Sequence, residues 1–130
     1  MYRADGSPIR VLLVDDERAL TNLVRMALRY EGWEIDTAHD AAEAVAMYRA
    51  NPPDLLVLDI MLPDMDGFET AERIRMSERS KHVPIMFVTG VKRGKDEVAR
   101  GYNIGAVDYL LKPVDAEILR AKVGAFLDIY

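Results

Sequence analysis

The 130-residue sequence predicts a doubly wound α/β fold built on a parallel sheet. Three observations carry this expectation. Short runs with few polar residues recur, namely Val11-Leu12-Leu13-Val14, Leu55-Leu56-Val57-Leu58, Ile85-Met86-Phe87-Val88 and Tyr109-Leu110-Leu111, and such runs suit strands buried on both faces. Strand and helix patterns alternate five times with short connections, which implies right-handed crossovers. Directly after those runs stand Asp15-Asp16, Asp59, Thr89 and Lys112. In a parallel α/β sheet, residues just past the carboxyl ends of the strands meet in one crevice.

After the first strand, Ala19, Leu20, Leu23, Val24, Ala27 and Leu28 recur at helical spacing, and Gly32 can stop that helix. From Trp33 to Ala38, Trp33, Ile35 and Thr37 alternate with Glu34 and Asp36, the pattern of an edge or half-covered strand. Asp40 with Glu43 three residues on resembles a capping pair, opening a helix that runs through Arg49. Asn51-Pro52-Pro53 ends it. The third strand spans about Asp54 to Asp59, a loop follows from Pro63 to Gly67, and a third helix covers Phe68 to Met76. Pro84 opens the fourth strand. A fourth helix covers Lys95 to Asn103, weakened by Gly101 and closed near Gly105. The fifth strand ends at Lys112, and a last helix begins near Asp115.

The length suits one domain with one core, and half of the residues are hydrophobic. The absence of cysteine removes disulfides, thiolate metal sites and cysteine nucleophiles, and it suits a reducing compartment. Residues 1–8 have no apolar core of a secretory signal and are expected to be a flexible lead-in, with the domain covering 9–130. No apolar run approaches the roughly 18 residues of a membrane span, so a cytoplasmic location is expected. The formal charge is −5 and no basic block is present, so direct nucleic-acid binding lacks electrostatic support. His39 and His82 stand alone and are read as neither ligands nor phosphate carriers, while the methionines are expected to fill the core. The last helix has no glycine or proline stop, which suggests a chain cut from a longer protein.

Clustered carboxylates repel one another and call for a cation. With an oxygen-seeking ion in place, a neighbouring lysine and hydroxyl are equipped to hold a phosphoryl group. An isolated aspartate at a strand end more often caps the following turn, so the weight lies on the five residues together.

The segments Val11-Leu12-Leu13-Val14-Asp15-Asp16-Glu17, Leu58-Asp59-Ile60-Met61-Leu62-Pro63-Asp64-Met65-Asp66-Gly67, Val88-Thr89-Gly90 and Gly105-Ala106-Val107-Asp108-Tyr109-Leu110-Leu111-Lys112-Pro113 resemble the receiver domains of two-component response regulators. The likeness extends from about Ile9 to about Leu127. It implies a flavodoxin-like strand order 2-1-3-4-5. It implies that Asp59 accepts a phosphoryl group from a phosphohistidine on a sensor histidine kinase or phosphotransfer protein. By the same resemblance, Mg²⁺ sits on Asp16, Asp59 and the backbone carbonyl of Met61, with Asp15 acting through a water. Thr89 would bind a phosphoryl oxygen and Lys112 would pair with Asp59 before transfer and with the phosphoryl group after it. Tyr109 holds the family's switch-aromatic position, and the Lys112–Pro113 peptide is cis in the family. The resemblance further implies output through the face of the fourth helix, fifth strand and last helix, where a homodimer could form. Glu117 to Val123 with Phe126-Leu127 resembles receivers attached to sensor kinases, and a DNA-binding output beyond residue 130 is the alternative.

Met61 and Val91 lie two residues beyond Asp59 and Thr89, where the family flanks the path of the hydrolytic water. Neither can orient a water, which points to slow self-hydrolysis of the phosphorylated state. An aspartyl-phosphate hydrolase would carry a second acid at the place of Met61. A flavin-binding domain would want a phosphate-cradling loop after the first strand, where Asp15-Asp16-Glu17-Arg18 has the wrong charge. A binding-only relative would not keep all five site residues.

Overall fold

The computed structural model describes residues 6–28, 31–76, 83–90, 95–104 and 106–129. Ten elements alternate: β1 (Arg10–Val14), α1 (Arg18–Leu28), β2 (Glu34–Ala38), α2 (Ala41–Ala50), β3 (Leu55–Asp59), α3 (Gly67–Arg75), β4 (Ile85–Thr89), α4 (Lys95–Ile104), β5 (Ala106–Leu111) and α5 (Ala116–Ile129). Every strand pairing is parallel, and the order is β2-β1-β3-β4-β5, as expected. Reversal of the winding direction at β1 and β3 opens the crevice at the carboxyl ends of those two strands.

Period-two side-chain direction divides the apolar runs between two cores. Val11, Leu13, Leu55, Val57, Met86, Val88 and Leu110 face α1 and α5 and pack with Val24, Leu28, Leu119 and Val123. Leu12, Val14, Leu56, Leu58, Ile85 and Phe87 face the opposite way, toward Ala44 and Tyr48 of α2 and Phe68, Ala71 and Ile74 of α3. The central strands β3 and β4 are buried along their whole length, whereas β2 keeps partial exposure at an edge. Arg10 bridges to Glu34 at 2.9 Å across that edge.

Three helix starts share one device. Asp40 accepts a hydrogen bond from the amide of Glu43 at 2.7 Å, and Asp66 accepts one from Glu69 at the same distance. Asp115 accepts from the amides of Glu117 and Ile118. Each carboxylate satisfies amides that the first turn leaves open and complements the helix dipole.

Three expectations need correction. Leu23 is 51% exposed, so the apolar stripe of α1 is narrower than its spacing suggested. Among the described side chains of this stripe, Val24 and Leu28 reach the sheet core, with Leu20 beside them. The methionines are only in part core filling: among the described residues Met86 is fully buried and Met47 packs against the core, while Met26, Met61 and Met76 are exposed. Third, Gly67 is the first residue of α3 rather than the end of the preceding loop. His82, Val91, Gly105 and residues 1–5 of the lead-in lie outside the described residues. No helix among the described residues is long and apolar enough to cross a membrane.

The contrast between Leu119 and its neighbour Ile118 tests this packing. Leu119→Ala should lower the urea-unfolding free energy by about 2–5 kcal/mol, since the side chain is fully buried between α5 and the sheet. Ile118→Ala, at a half-exposed position, should stay within about 0.5 kcal/mol of the parent.

Candidate functional site

The crevice gathers the side chains of Asp15, Asp16, Asp59 and Lys112, and Thr89 ends β4 next to Lys112. Asp15, Asp59 and Thr89 are buried at 1%, 0% and 2% exposure, while Asp16 faces solvent at the rim. Lys112 Nζ donates to Asp59 Oδ2 at 2.8 Å and lies 3.3 Å from Asp15 Oδ2 and 3.5 Å from Glu17 Oε1. The backbone amide of Lys112 donates to the carbonyl of Thr89 at 2.8 Å, which ties the ends of β4 and β5 together. The Lys112–Pro113 peptide is cis, in agreement with the expectation.

Each buried carboxylate has two tasks. Asp59 Oδ1 accepts the amide of Met61 at 3.0 Å, and Asp15 Oδ1 accepts the amide of Glu17 at 2.8 Å. The turn-capping role is therefore present, and it leaves the other oxygen of each group aimed into the crevice. Asp15 Oδ2 is buried without a hydrogen-bond donor, since the nearby Lys112 ammonium is not aligned with it. Oxygens of Asp15, Asp16 and Asp59 lie within 4.8 Å of one another. An all-oxygen set with an orphaned carboxylate oxygen fits a hard divalent cation.

The charges respond to this crowding. Burial pushes the Asp15 carboxyl up to about 6, with the Asp59 charge adding to the rise and the Glu17 amide and Lys112 opposing it. Burial works to lower the Lys112 ammonium, but the hydrogen bond and charge of Asp59, then the charge of Asp15, outweigh it and hold the group above its usual range.

Two residues with supporting roles escaped sequence reasoning. Gly67 packs against the end of β3: a Cβ there would strike the carbonyl oxygen of Asp59 and lie 2.7 Å from Ile60 Cα. Its amide donates to the carbonyl of Ile60 at 2.7 Å. Asp64 reaches from the loop after β3 to the start of α2, accepting from the amides of Ala41 at 2.8 Å and Ala42 at 3.0 Å. Those bonds, the Ala41 amide first, hold the Asp64 carboxyl below its usual range. The loop that carries Met61 is thus fastened at both ends. The Asp66–Glu69 spacing repeats that of Asp40 and Glu43 and was available as a capping signal; Asp64 sits 23 residues from its partner and gave none.

The sequence profile described as "Response regulator receiver domain" matches residues 11–124. The transcriptional regulatory protein TrcR of Mycobacterium tuberculosis is 53% identical over 127 residues, covering 98% of this chain and 48% of that protein. The DNA-binding dual master transcriptional regulator RpaA of Synechocystis is 37% identical over 118 residues, covering 91% of this chain and 48% of that one. Among solved structures, a CheY-like response regulator receiver domain protein from Methanospirillum hungatei superposes with a TM-score of 0.86 at 32% identity, covering 94% of this chain and 95% of that chain. With a parallel sheet whose carboxyl ends hold an acid cluster and a lysine, the chain belongs to the response regulator receiver domain family, a family of phosphoacceptor signalling switches that work with histidine kinases. It spans about half the length of the curated relatives it matches.

Two outcomes follow from this geometry. Gly67→Ala should lose several kcal/mol of stability, on the order of a core overpacking or worse, because the obstructing atoms are backbone and cannot swing away. Chemical denaturation would register it. The second concerns pH. The folded-state value of Asp15 lies above its ordinary 3.8, so the native state holds the extra proton between about pH 4 and 6. Its contribution to stability is complete below that window and lost as pH rises through about 6. In chelator, the melting temperature of the parent relative to Asp15→Asn should fall across this window, and a difference that stays flat would count against the crowding.

Proposed function

We propose that Asp59 is the phosphoacceptor of this chain and that Asp15, Asp16 and Asp59 form its Mg²⁺ site. The observation that carries the reading is the 2.8 Å contact of Lys112 with a fully buried Asp59 whose neighbouring Asp15 oxygen lacks a donor. Bound Mg²⁺, completed by the Met61 carbonyl, would neutralise the carboxylates and shield charge on the incoming phosphoryl group. The chain's own part is alignment. Met61 and Gly67 hold the strand end, so one Asp59 oxygen can attack phosphorus while the bond to the donor histidine breaks. Lys112 then exchanges a carboxylate partner for a phosphoryl oxygen, and the Thr89 hydroxyl takes another. Self-hydrolysis is slow: Met61 is 65% exposed beside the site and has no group to orient a water, and Val91 is assigned the same part from its sequence position.

Output runs through α4, β5 and α5. Leu111 and Ile118 are exposed there beside a groove of about 420 Å³, and Lys122 pairs with Asp108 at 3.0 Å and with the carbonyl of Tyr109. This is the face on which a homodimer would form. The relatives' names favour a transcriptional output carried by a further part of a longer protein over attachment to a sensor kinase. The receiver domain itself has a net negative charge and makes no direct contact with nucleic acid in this reading.

Acetyl phosphate with Mg²⁺ should add one phosphoryl group by intact mass, and Asp59→Asn should abolish it; full labelling of that variant would overturn the assignment. After donor removal, the parent should decay over many minutes. Met61→Asn with Val91→Glu should shorten that lifetime on the order of tenfold, the equivalent of about 1.4 kcal/mol of barrier. A parent lifetime of seconds would contradict the role of the apolar pair.

A further inference from the structure

Aromatic rings run beneath the site from α3 to α4. Phe68 meets Phe87 edge-on with centroids 4.9 Å apart, and Phe87 lies 5.7 Å from Tyr109. Tyr109 is half-buried and its phenol end lies under α4. A Cβ built on Gly101 would strike the Tyr109 hydroxyl, lie 2.9 Å from Tyr109 Cζ and come within 3.2 Å of Phe68 Cε1. The adjacent Arg100 carries its guanidinium carbon 5.1 Å from the Phe68 ring centre and pairs with Glu72 at 3.0 Å. Contacts therefore close a ring through α3, β4, β5 and α4.

A glycine inside a helix is ordinarily a weak point that alanine improves. Here the same glycine gives the tyrosine its space. We infer that Gly101 is a positioning residue for Tyr109: its missing side chain is the seat in which the phenol lies, so that α4 and Tyr109 change position together. If the helix moves outward, the phenol loses its wall. If the phenol swings out, the helix is left over a void that close packing disfavours. Two packed arrangements, rather than a continuum, follow from such a contact. The inference rests on the phosphoacceptor reading above only for what sets the motion going; the seat itself is a matter of packing. It also alters the expectation that Gly101 simply weakens α4, because the glycine supplies a tertiary contact there.

The test is a thermal cycle on the 130-residue chain with Gly101→Ala, Tyr109→Ala and the pair. Gly101→Ala should lower the melting temperature of the parent by several degrees. In the Tyr109→Ala background the same change should raise it, by about 3 °C at most, because the helix gain of alanine is then opposed only by the 3.2 Å approach to Phe68. Failure of Gly101→Ala alone to fold, with the double variant folded, is the extreme of the same inversion and supports the seat. A rise in both backgrounds overturns it. Fluorotyrosine NMR, assigned with Tyr109→Phe, gives the second readout. Tyr109 should appear solvent-exposed in Gly101→Ala with or without beryllofluoride and Mg²⁺, and an unmoved signal in that variant overturns the seat. In the parent, beryllofluoride should shift the Tyr109 signal. A parent signal indifferent to beryllofluoride removes the switch reading, while the sign inversion in the melting cycle still supports the seat.

Discussion

One ammonium group between two buried carboxylates is the constraint on which the rest of this molecule depends. Lys112 touches Asp59 and approaches Asp15, both almost wholly removed from water. One positive charge cannot balance two negative ones in a low-dielectric crevice, so the cluster has an unmet demand for cationic charge. Burial, with the Asp59 charge adding to it, raises Asp15 toward a neutral form, and the oxygens of Asp15, Asp16 and Asp59 lie close enough together to hold a metal ion. Because each carboxylate commits one oxygen to a backbone amide, the crevice oxygens are presented in fixed directions rather than by free rotation.

What surrounds the cluster can be understood as support for that arrangement. Gly67 lets α3 begin against the Asp59 peptide, and Asp64 fastens the same loop to α2. The amide of Lys112 bonds to Thr89, so a displacement at either strand end is felt by the other. Among the described side chains, α4 meets α3 through Arg100, with Glu72 and the Phe68 ring, and through Arg75 with the carbonyl of Ile104. Such contacts can be exchanged at less cost than a buried apolar seam, which suits the movement proposed for α4.

The architecture and the five crevice residues were legible because their signals are local. Strands buried on both faces must be apolar runs, and a polar residue directly after such a run is conspicuous. The helix start at Asp40 carries a spacing of three to a glutamate, which chemistry at the first turn requires, and the same spacing at Asp66 went unread. Residues whose reason lies across the fold were not legible. Asp64 meets α2 only in three dimensions, and the need for glycine at 67 and 101 comes from Asp59, Phe68 and Tyr109, all distant in sequence or in direction. Leu23 and Met26 had the spacing or composition of core residues, yet the sheet covers only part of the face that α1 offers.

The most direct measurement is the stability of Lys112→Met by urea unfolding, in chelator and again in millimolar Mg²⁺. Removing the ammonium leaves Asp15 and Asp59 buried and unpaired, so in chelator the variant should lose about 3–5 kcal/mol, the usual cost of stripping one partner from a buried ion pair. Mg²⁺ should restore most of that loss, and the gain from Mg²⁺ should exceed the gain seen in the parent. A variant as stable as the parent in chelator, or one indifferent to Mg²⁺, would contradict the view that this molecule is organised around an unmet need for positive charge.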